Sequence, residues 1–332
     1  MPRVNVGEVE LFYVEEGLGP PVVLIMGIGA QLTLWPPAFV NRLIDRGLRV
    51  ILFDNRDVGL STWLDDRGVP WVPGLVLRAL FGMKIPAPYT LEDLALDTVG
   101  LLDALGIHDA HIVGASMGGM VAQTVAIAHP RRTRSLVSIM SNPGGLRWLL
   151  GRWRATKVLI GRKVTTPAEA VQRFVDLYRE LVSPAEPFDE ALYRATAEAA
   201  VTRAYHPVAL ARQLAAVLAS GSRARALRSV VAPTLVLHGE HDPLVLPAGG
   251  RAVARAVPGA TWVSYPNMGH TLPVALQATI ADTIADHIWE VERQSAIASG
   301  LGGVLRGETP RPAKRTPSRP AGDVPTPDPA DG

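Results

Sequence analysis

Three residues in this 332-residue chain have the types and settings for nucleophilic chemistry: Ser116, Asp242 and His270. Ser116 stands in Gly114-Ala115-Ser116-Met117-Gly118, between an apolar run (Ala110 to Val113) and a helical pattern (Met120 to His129). Glycine is 31 of the 332 residues, so the bare Gly-x-Ser-x-Gly pattern is weak and its surroundings must carry it. Strand, sharp turn and helix is the setting in which a serine hydroxyl is lifted out of a strained turn. Gly114 and Gly118 lack Cβ atoms, which lets strand and helix approach closely around the serine.

A serine hydroxyl is a poor nucleophile until a base takes its proton. His270 is the candidate base, in the Gly269-His270 turn that follows the last expected strand. Its neutral imidazole accepts the proton and returns it to a leaving group. Asp242 is the candidate orienting acid, at the end of His238-Gly239-Glu240-His241-Asp242. The developing oxyanion needs donors, and the backbone N–H groups of Met117 and Ile28 are the candidates. Gly27 and Gly29 flank Ile28 and form the supporting loop with Gly114 and Gly118. The rival histidines fit less well. His108 and His111 start a strand, His129 and His206 each precede a proline, His287 lies far along a helix, and His238 and His241 suit packing around Asp242. Asn142 holds the end of the strand before the Asp242 loop and cannot serve as the acid.

Elements that would position these residues follow from periodicity. Strands are expected at 9–14 (an edge strand), 22–26, 49–53, 110–113, 134–140, 233–237 and 260–264. Val22 to Met26 is continuously apolar, as a strand covered on both faces requires. Between them run helical patterns: Phe39 to Arg46 closed by Gly47, a stripe from Leu91 to Leu105 capped by Thr90, and a long last helix to about Ala298. Alternating strands and helices predict an α/β fold, a mostly parallel twisted sheet with helices on both faces. In such sheets ligands sit at the carboxyl ends of the strands, where Ser116, Asp242 and His270 fall.

Residues 1–145 and 229–298 are read as the core and 146–228 as an inserted helical cap, with helices near 168–182, 188–204 and 207–219. Residues 299–332, rich in Pro and Arg, are read as a disordered tail, locally basic between Arg306 and Arg319. The proline-broken segment 63–89 is too apolar for a plain surface loop; it is expected to pack on the cap or rim the substrate pocket, with contact of part of it with a lipid surface as the looser alternative. Leu146 to Lys163 mixes tryptophans with basic residues, a stripe expected to face the protein body. Asp54, Arg56 and Asp57 read as a charged network that shapes their loop.

Composition excludes several classes. The net charge of +2 gives no reason to invoke nucleic acid, and the absence of cysteine excludes disulfides, thiol nucleophiles and thiolate metal sites. No signal peptide and no run long enough for a transmembrane helix are seen, so a cytoplasmic location with at most weak peripheral membrane contact is expected. Gly27-Ile28-Gly29 is not a dinucleotide loop, because position 32 is Leu32.

Over residues 5–295 the chain resembles the α/β-hydrolase family, and more narrowly the actinobacterial carboxylesterases of the lipase G type, with a looser likeness to aclacinomycin methylesterases. The residues that carry it are Leu24 to Gln31, Asp54 to Ser61, Gly114 to Met120, His238 to Asp242 and Gly269-His270. The resemblance implies ester hydrolysis by Ser116, Asp242 and His270 without cofactor or metal, on a small-molecule or lipid ester. One departure stands out. Many members carry His-Gly where this chain has Met26-Gly27, so Met26 offers no hydrogen bond to brace the loop. Methylesterase, perhydrolase and carbon–carbon bond hydrolase activities use the same residues and remain open, as does a near-inactive ligand binder on the same fold.

Overall fold

The structure, a computed structural model, describes residues 2–148 and 164–299 together with Ala155, Lys157 and Gly161. The expected tail beyond Ser299 and most of the basic stretch Leu146 to Lys163 lie outside the described residues.

Eight strands form one sheet: β1 (Arg3–Val6), β2 (Val9–Glu16), β3 (Pro21–Ile25), β4 (Arg49–Phe53), β5 (Ala110–Ala115), β6 (Thr133–Ile139), β7 (Thr234–Gly239) and β8 (Thr261–Tyr265). Their order is β1-β2-β4-β3-β5-β6-β7-β8. The β1–β2 and β2–β4 pairings are antiparallel, and every pairing from β4 through β3 and β5 to β8 is parallel. Seven strands were expected; β1 is the addition, and it moves the edge from β2 to itself. Only Val6 of its four residues is buried, so it has no apolar run to announce it.

β3 alternates strictly between the two cores. Val23 and Ile25 join Leu94, Leu101 and Val121 on one face, whereas Val22 and Leu24 join Phe39, Leu43 and Ile284 on the other. Burial on both faces is why the strand reads as an unbroken apolar run. The helices that cover the sheet are α1 (Pro37–Asp45), α3 (Leu91–Ala104), α4 (Met117–Ala128), α8 (Pro247–Ala256) and α9 (Gln277–Ala298). Thr90 caps α3 in a reciprocal box with Asp93, and Arg46 ends α1 before Gly47 at φ +77°.

Among the described residues between β6 and β7 run the helices α5 (Pro167–Leu181), α6 (Glu190–Arg203) and α7 (Ala209–Ala219). The segment 63–89 contains α2 (Val72–Leu80), which packs on α7 through Leu75 and Ala79. Of the two placements expected for it, the structure shows the packing on a helix of the 146–228 insertion, and none of its residues lines the main cavity. Its other face is open, with Trp71 and Phe81 each 74 % exposed. Among the described residues no helix is long and apolar enough to cross a membrane.

Candidate active site

The chain leaves β3 for β4 on one side and then crosses to β5 on the other, so the crevice opens where the direction reverses. β3 and β5 pair in parallel with Ile25 opposite Gly114, and this register brings the loop after β3 beside Ser116. A Cβ added to Gly27 would lie 3.2 Å from Ser116 Cβ. The turn at Ser116 is strained in the expected way: its φ is +57°, a conformation that non-glycine residues rarely adopt. A Cβ on Gly114 would sit 2.1 Å from Gly118 O, and one on Gly118 would sit 2.0 Å from Ile25 O. Glycine at both positions is thus a condition of the close approach. Ser116 N–H donates to Ile139 O at 2.9 Å, and Ser141 Oγ donates to Ser116 O at 2.8 Å, which ties the turn to β6 and its exit.

The loops after β7 and β8 bring Asp242 and His270 to Ser116. His270 Nδ1 is 2.7 Å from Asp242 Oδ2, and His270 Nε2 is 3.0 Å from Ser116 Oγ. A carboxylate can only accept, so the proton rests on Nδ1 and leaves Nε2 free to accept from the hydroxyl. Asp242 is fully buried, and its other oxygen accepts from the N–H groups of Leu244 (2.9 Å) and Val245 (2.8 Å). Burial pushes the Asp242 carboxyl up, but the charge of His270 and the hydrogen bonds from His238 and His270 outweigh it and hold it below the usual carboxylate range. His270 N–H donates to Leu181 O at 2.7 Å, which ties the histidine loop to the end of α5. Gly269 permits this approach, since a Cβ there would lie 2.2 Å from Leu181 O.

Gly27, Ile28 and Gly29 line the cavity together with Ser116 and His270. Met117 is the first residue of α4, so its N–H belongs to the free amides of that helix N-terminus. Gly29 has φ +67° and the Ala30 N–H closes back on Gly27 O at 3.2 Å, forming a tight turn around Ile28. His238, expected to pack near the acid, is fully buried with Nε2 2.7 Å from Val245 O and 3.3 Å from Asp242 Oδ2, whereas His241 is exposed. The charged loop expected at 54–61 is indeed a network: Arg56 pairs with Asp97, Asp54 with Arg203, and Asp57 with Arg212.

Ser116 and His270 open onto a cavity of about 570 Å³. Much of its wall is apolar and comes from α5, α6 and the start of α7. Phe174 stacks on Tyr178 (4.2 Å between ring centres), and Tyr178 meets Tyr193 at 4.9 Å, so three aromatic rings form one side. Burial pushes the Tyr178 phenol up to about 12 and raises that of Tyr193, so both rings are neutral over the physiological range. Most of this wall, the three rings included, escaped the sequence reading, and His206 was weighed there only as a rival base. Met140, with φ +41°, follows β6, Leu244 follows the acid, and His206 stacks on Trp63 at 4.1 Å. A lone positive φ has no residue signature outside glycine, and the other contacts span distant parts of the chain. Among the described residues no group of three or more His, Asp or Glu side chains is placed to hold a metal ion.

Comparison with known proteins agrees with this fold. Residues 20–274 match the sequence profile of the family described as alpha/beta hydrolase fold. The chain is 28 % identical over 318 residues to rhodomycin D methylesterase DnrP of Streptomyces peucetius, covering 86 % of this chain and 98 % of that one. Among solved structures it resembles the meta-cleavage product hydrolase CumD of Pseudomonas fluorescens IP01 (TM-score 0.70, 18 % identity, 87 % of this chain and 98 % of the other). It also resembles the enol-lactonase of Burkholderia xenovorans LB400 (TM-score 0.64, 24 % identity, 86 % and 99 %). At these identities the two structures speak for the fold alone.

Proposed function

Since the chain belongs to the α/β-hydrolase family, we propose that it is a serine hydrolase of carboxylic esters, working through an acyl-enzyme on Ser116. The observation that carries this reading is the unbroken hydrogen-bonded line from Asp242 through His270 to Ser116, opening onto an apolar cavity.

Ser116 Oγ attacks the ester carbonyl carbon as its proton passes to His270 Nε2. The imidazolium that forms is stabilised by Asp242, whose carboxylate is held ionised. The carbonyl oxygen becomes an oxyanion and takes hydrogen bonds from the Ile28 and Met117 N–H groups, each worth about 3–4 kcal/mol to the transition state. When the intermediate collapses, the bond to the alcohol oxygen breaks and His270 returns the proton to that oxygen. Water then gives a proton to His270 Nε2 and attacks the acyl carbon, and a second collapse frees the acid and restores Ser116. Every proton taken by His270 is given back, so no cofactor enters the balance.

The substrate class follows from the wall. The helices of 167–219 act as a cap, and an apolar acyl group or ring system fits a lining dominated by aliphatic and aromatic side chains. A methylesterase acting on an aromatic acid is the second reading, favoured by the rings of Phe174, Tyr178 and Tyr193 and by a methylesterase relative aligned over almost its whole length.

The test is hydrolysis of p-nitrophenyl esters from acetyl to palmitoyl, with methanol release from aromatic methyl esters measured in parallel and Ser116→Ala as control. Loss of activity in the variant supports the acyl-enzyme. A peak at long chains supports a lipid ester; methanol release with weak p-nitrophenyl activity supports the methylesterase. Equal rates for wild type and Ser116→Ala would sink both.

A further inference from the structure

The loop that carries Ile28 is held largely from outside its own layer. At its ends the core supplies the anchors: Asn55 Nδ2 donates to Met26 O (3.2 Å) and Leu32 N–H donates to Asp54 Oδ1 (2.8 Å). At its middle the anchors come from α6 and α7. Gly29 N–H donates to Gln213 Oε1 at 2.6 Å, and Gln31 Nε2 donates to Ala200 O (2.7 Å) and Ala204 O (2.9 Å). Gln213 is fully buried, and its Nε2 donates to Arg56 O at 3.3 Å, which fixes the amide's orientation. The peptide plane that Gln213 grips, Ile28–Gly29, is the one next to the plane bearing the Ile28 N–H. Met26 has a thioether where a donor would be needed to brace the loop from its own strand.

We propose that Gln213 is a positioning residue: by accepting from Gly29 it holds the Ile28 N–H where the oxyanion forms, so the inserted helices complete the oxyanion site. This rests on the assignment of Ile28 as an oxyanion donor. A hydrogen-bond donor misplaced by a fraction of an ångström loses most of its effect on the transition state while leaving substrate affinity nearly intact.

The experiment compares Gln213→Met, which keeps the shape without the acceptor, with Gln213→Glu, whose carboxyl, buried without a cation, is neutral, so its C=O accepts from Gly29 and its O–H donates to Arg56 O. Both are read by kcat, KM and the affinity for a boronic acid that forms a tetrahedral anion on Ser116. Gln213→Met should lower kcat about 10- to 100-fold, leave KM within about threefold, and weaken boronate binding in proportion. Gln213→Glu should restore most of kcat. If Gln213→Glu falls as far as Gln213→Met, or if Gln213→Met retains kcat and boronate affinity, the proposal is overturned. If Ile28→Pro, which deletes the N–H, leaves the folded enzyme fully active, the oxyanion assignment has failed instead.

A separate observation concerns α2. Its inner face packs on α7, while Val69, Trp71, Leu77, Leu80, Phe81 and Met83 are each at least half exposed. Between Asp66 and Glu92 the chain carries Arg67, Arg78 and Lys84 and no acid, and α7 has no acid either. We infer that this face rests on an anionic lipid surface, where the rings enter the interface and Arg78 and Lys84 meet headgroups. A two-fold contact between copies would bring like charges together. Full-length protein should co-sediment with phosphatidylcholine vesicles containing phosphatidylglycerol, and less with phosphatidylcholine alone. Leu80→Glu with Phe81→Glu should abolish binding and leave hydrolysis of soluble esters unchanged. Absence of binding, binding that survives the double variant, or a dimer that the double variant dissociates would each overturn it.

Discussion

Arg212 and Asp57 meet in a bidentate ion pair, Nε on Oδ2 and Nη2 on Oδ1 at 2.8 Å each, with neither side chain exposed. The guanidinium also donates to Gly68 O at 3.1 Å, so one side chain of α7 holds two turns of the 54–68 region. Asp57 in turn accepts from Leu64 N–H at 2.7 Å and has φ +70°. Removing one partner of a buried pair leaves an uncompensated charge, which costs about 3–5 kcal/mol. Arg212→Met should therefore lose about that much stability in urea titration. Adding Asp57→Asn, a residue that tolerates positive φ, should recover part of the loss. Additive losses in the double variant would show that the two residues do not act as a pair.

His238 should tune the acid without touching substrate. Val245 O can only accept, so His238 Nε2 carries a proton, and that same N–H lies 3.3 Å from Asp242 Oδ2. His238→Phe removes one of the interactions that hold the Asp242 carboxyl down, and frees it to turn away from His270. One such bond is worth about 1–1.5 kcal/mol, so kcat/KM should fall roughly tenfold with KM little changed. An unaltered kcat/KM in a folded variant would remove His238 from the site's support.

Much of this site was legible because its parts are local. Gly114, Ser116 and Gly118 span one turn, Asp242 follows the fully buried run of β7, and His270 follows the shorter, only partly buried β8 in a Gly-His turn, so the strand ends could be located and joined. β1 was not legible: a four-residue strand with one buried side chain has neither a continuous nor an alternating pattern to show. The braces were not legible for another reason. Gln213 and Gly29 are 184 positions apart, and a glutamine on a helix carries no mark of its partner. Arg212 looked like one of many arginines until Asp57 stood beside it. The 63–89 segment was read correctly as too apolar for a plain loop, yet its periodicity does not say which of its two apolar faces is covered.

Gly118 should be intolerant of even a methyl group. Its added Cβ would meet Ile25 O at 2.0 Å, Ile25 C at 2.6 Å and Met26 O at 2.7 Å, all backbone atoms that cannot swing aside. The clash pushes α4 away from β3, and with it the Met117 N–H and Ser116. Overpacking of this kind typically destabilises by about 1–3 kcal/mol, with the larger end expected against backbone. Gly118→Ala should thus lower the melting temperature and reduce kcat more than Gly119→Ala, whose Cβ would meet Ser141 Cβ at 2.6 Å, Ser141 Oγ at 2.9 Å and Gly114 O at 3.0 Å, a less severe overlap than 2.0 Å against backbone. The reverse ranking would contradict the proposed packing of the turn.

Acid should weaken the fold in two stages. His111 is fully buried at the start of β5, against Ser135 Oγ (2.8 Å) and Glu292 (3.1 Å). Burial lowers its pKa below the ordinary 6.5 and Glu292 only partly offsets this; burial also lowers that of His287, with the nearby His111 adding to the effect. The unfolded chain then binds more protons than the native one below about pH 6.5, so stability falls as pH drops from there toward the folded values and then levels off. Each unit of separation between folded and unfolded pKa is worth about 1.4 kcal/mol. Asp109 and Asp242 act lower down. Burial raises both carboxyls, but Asp109 is held down by His108 and Arg134, and Asp242 by His270 and His238, so both end below 3.8. Their contribution is present above that value and is lost as pH falls through the folded pKa. The melting temperature should be highest near neutral pH, decline first on passing below about pH 6.5, and decline again below about pH 4. Replacing His111 and His287 together with asparagine should flatten the first decline and leave the second. Scanning fluorimetry across this range decides the matter: parallel curves for wild type and double variant would assign the first decline to other groups.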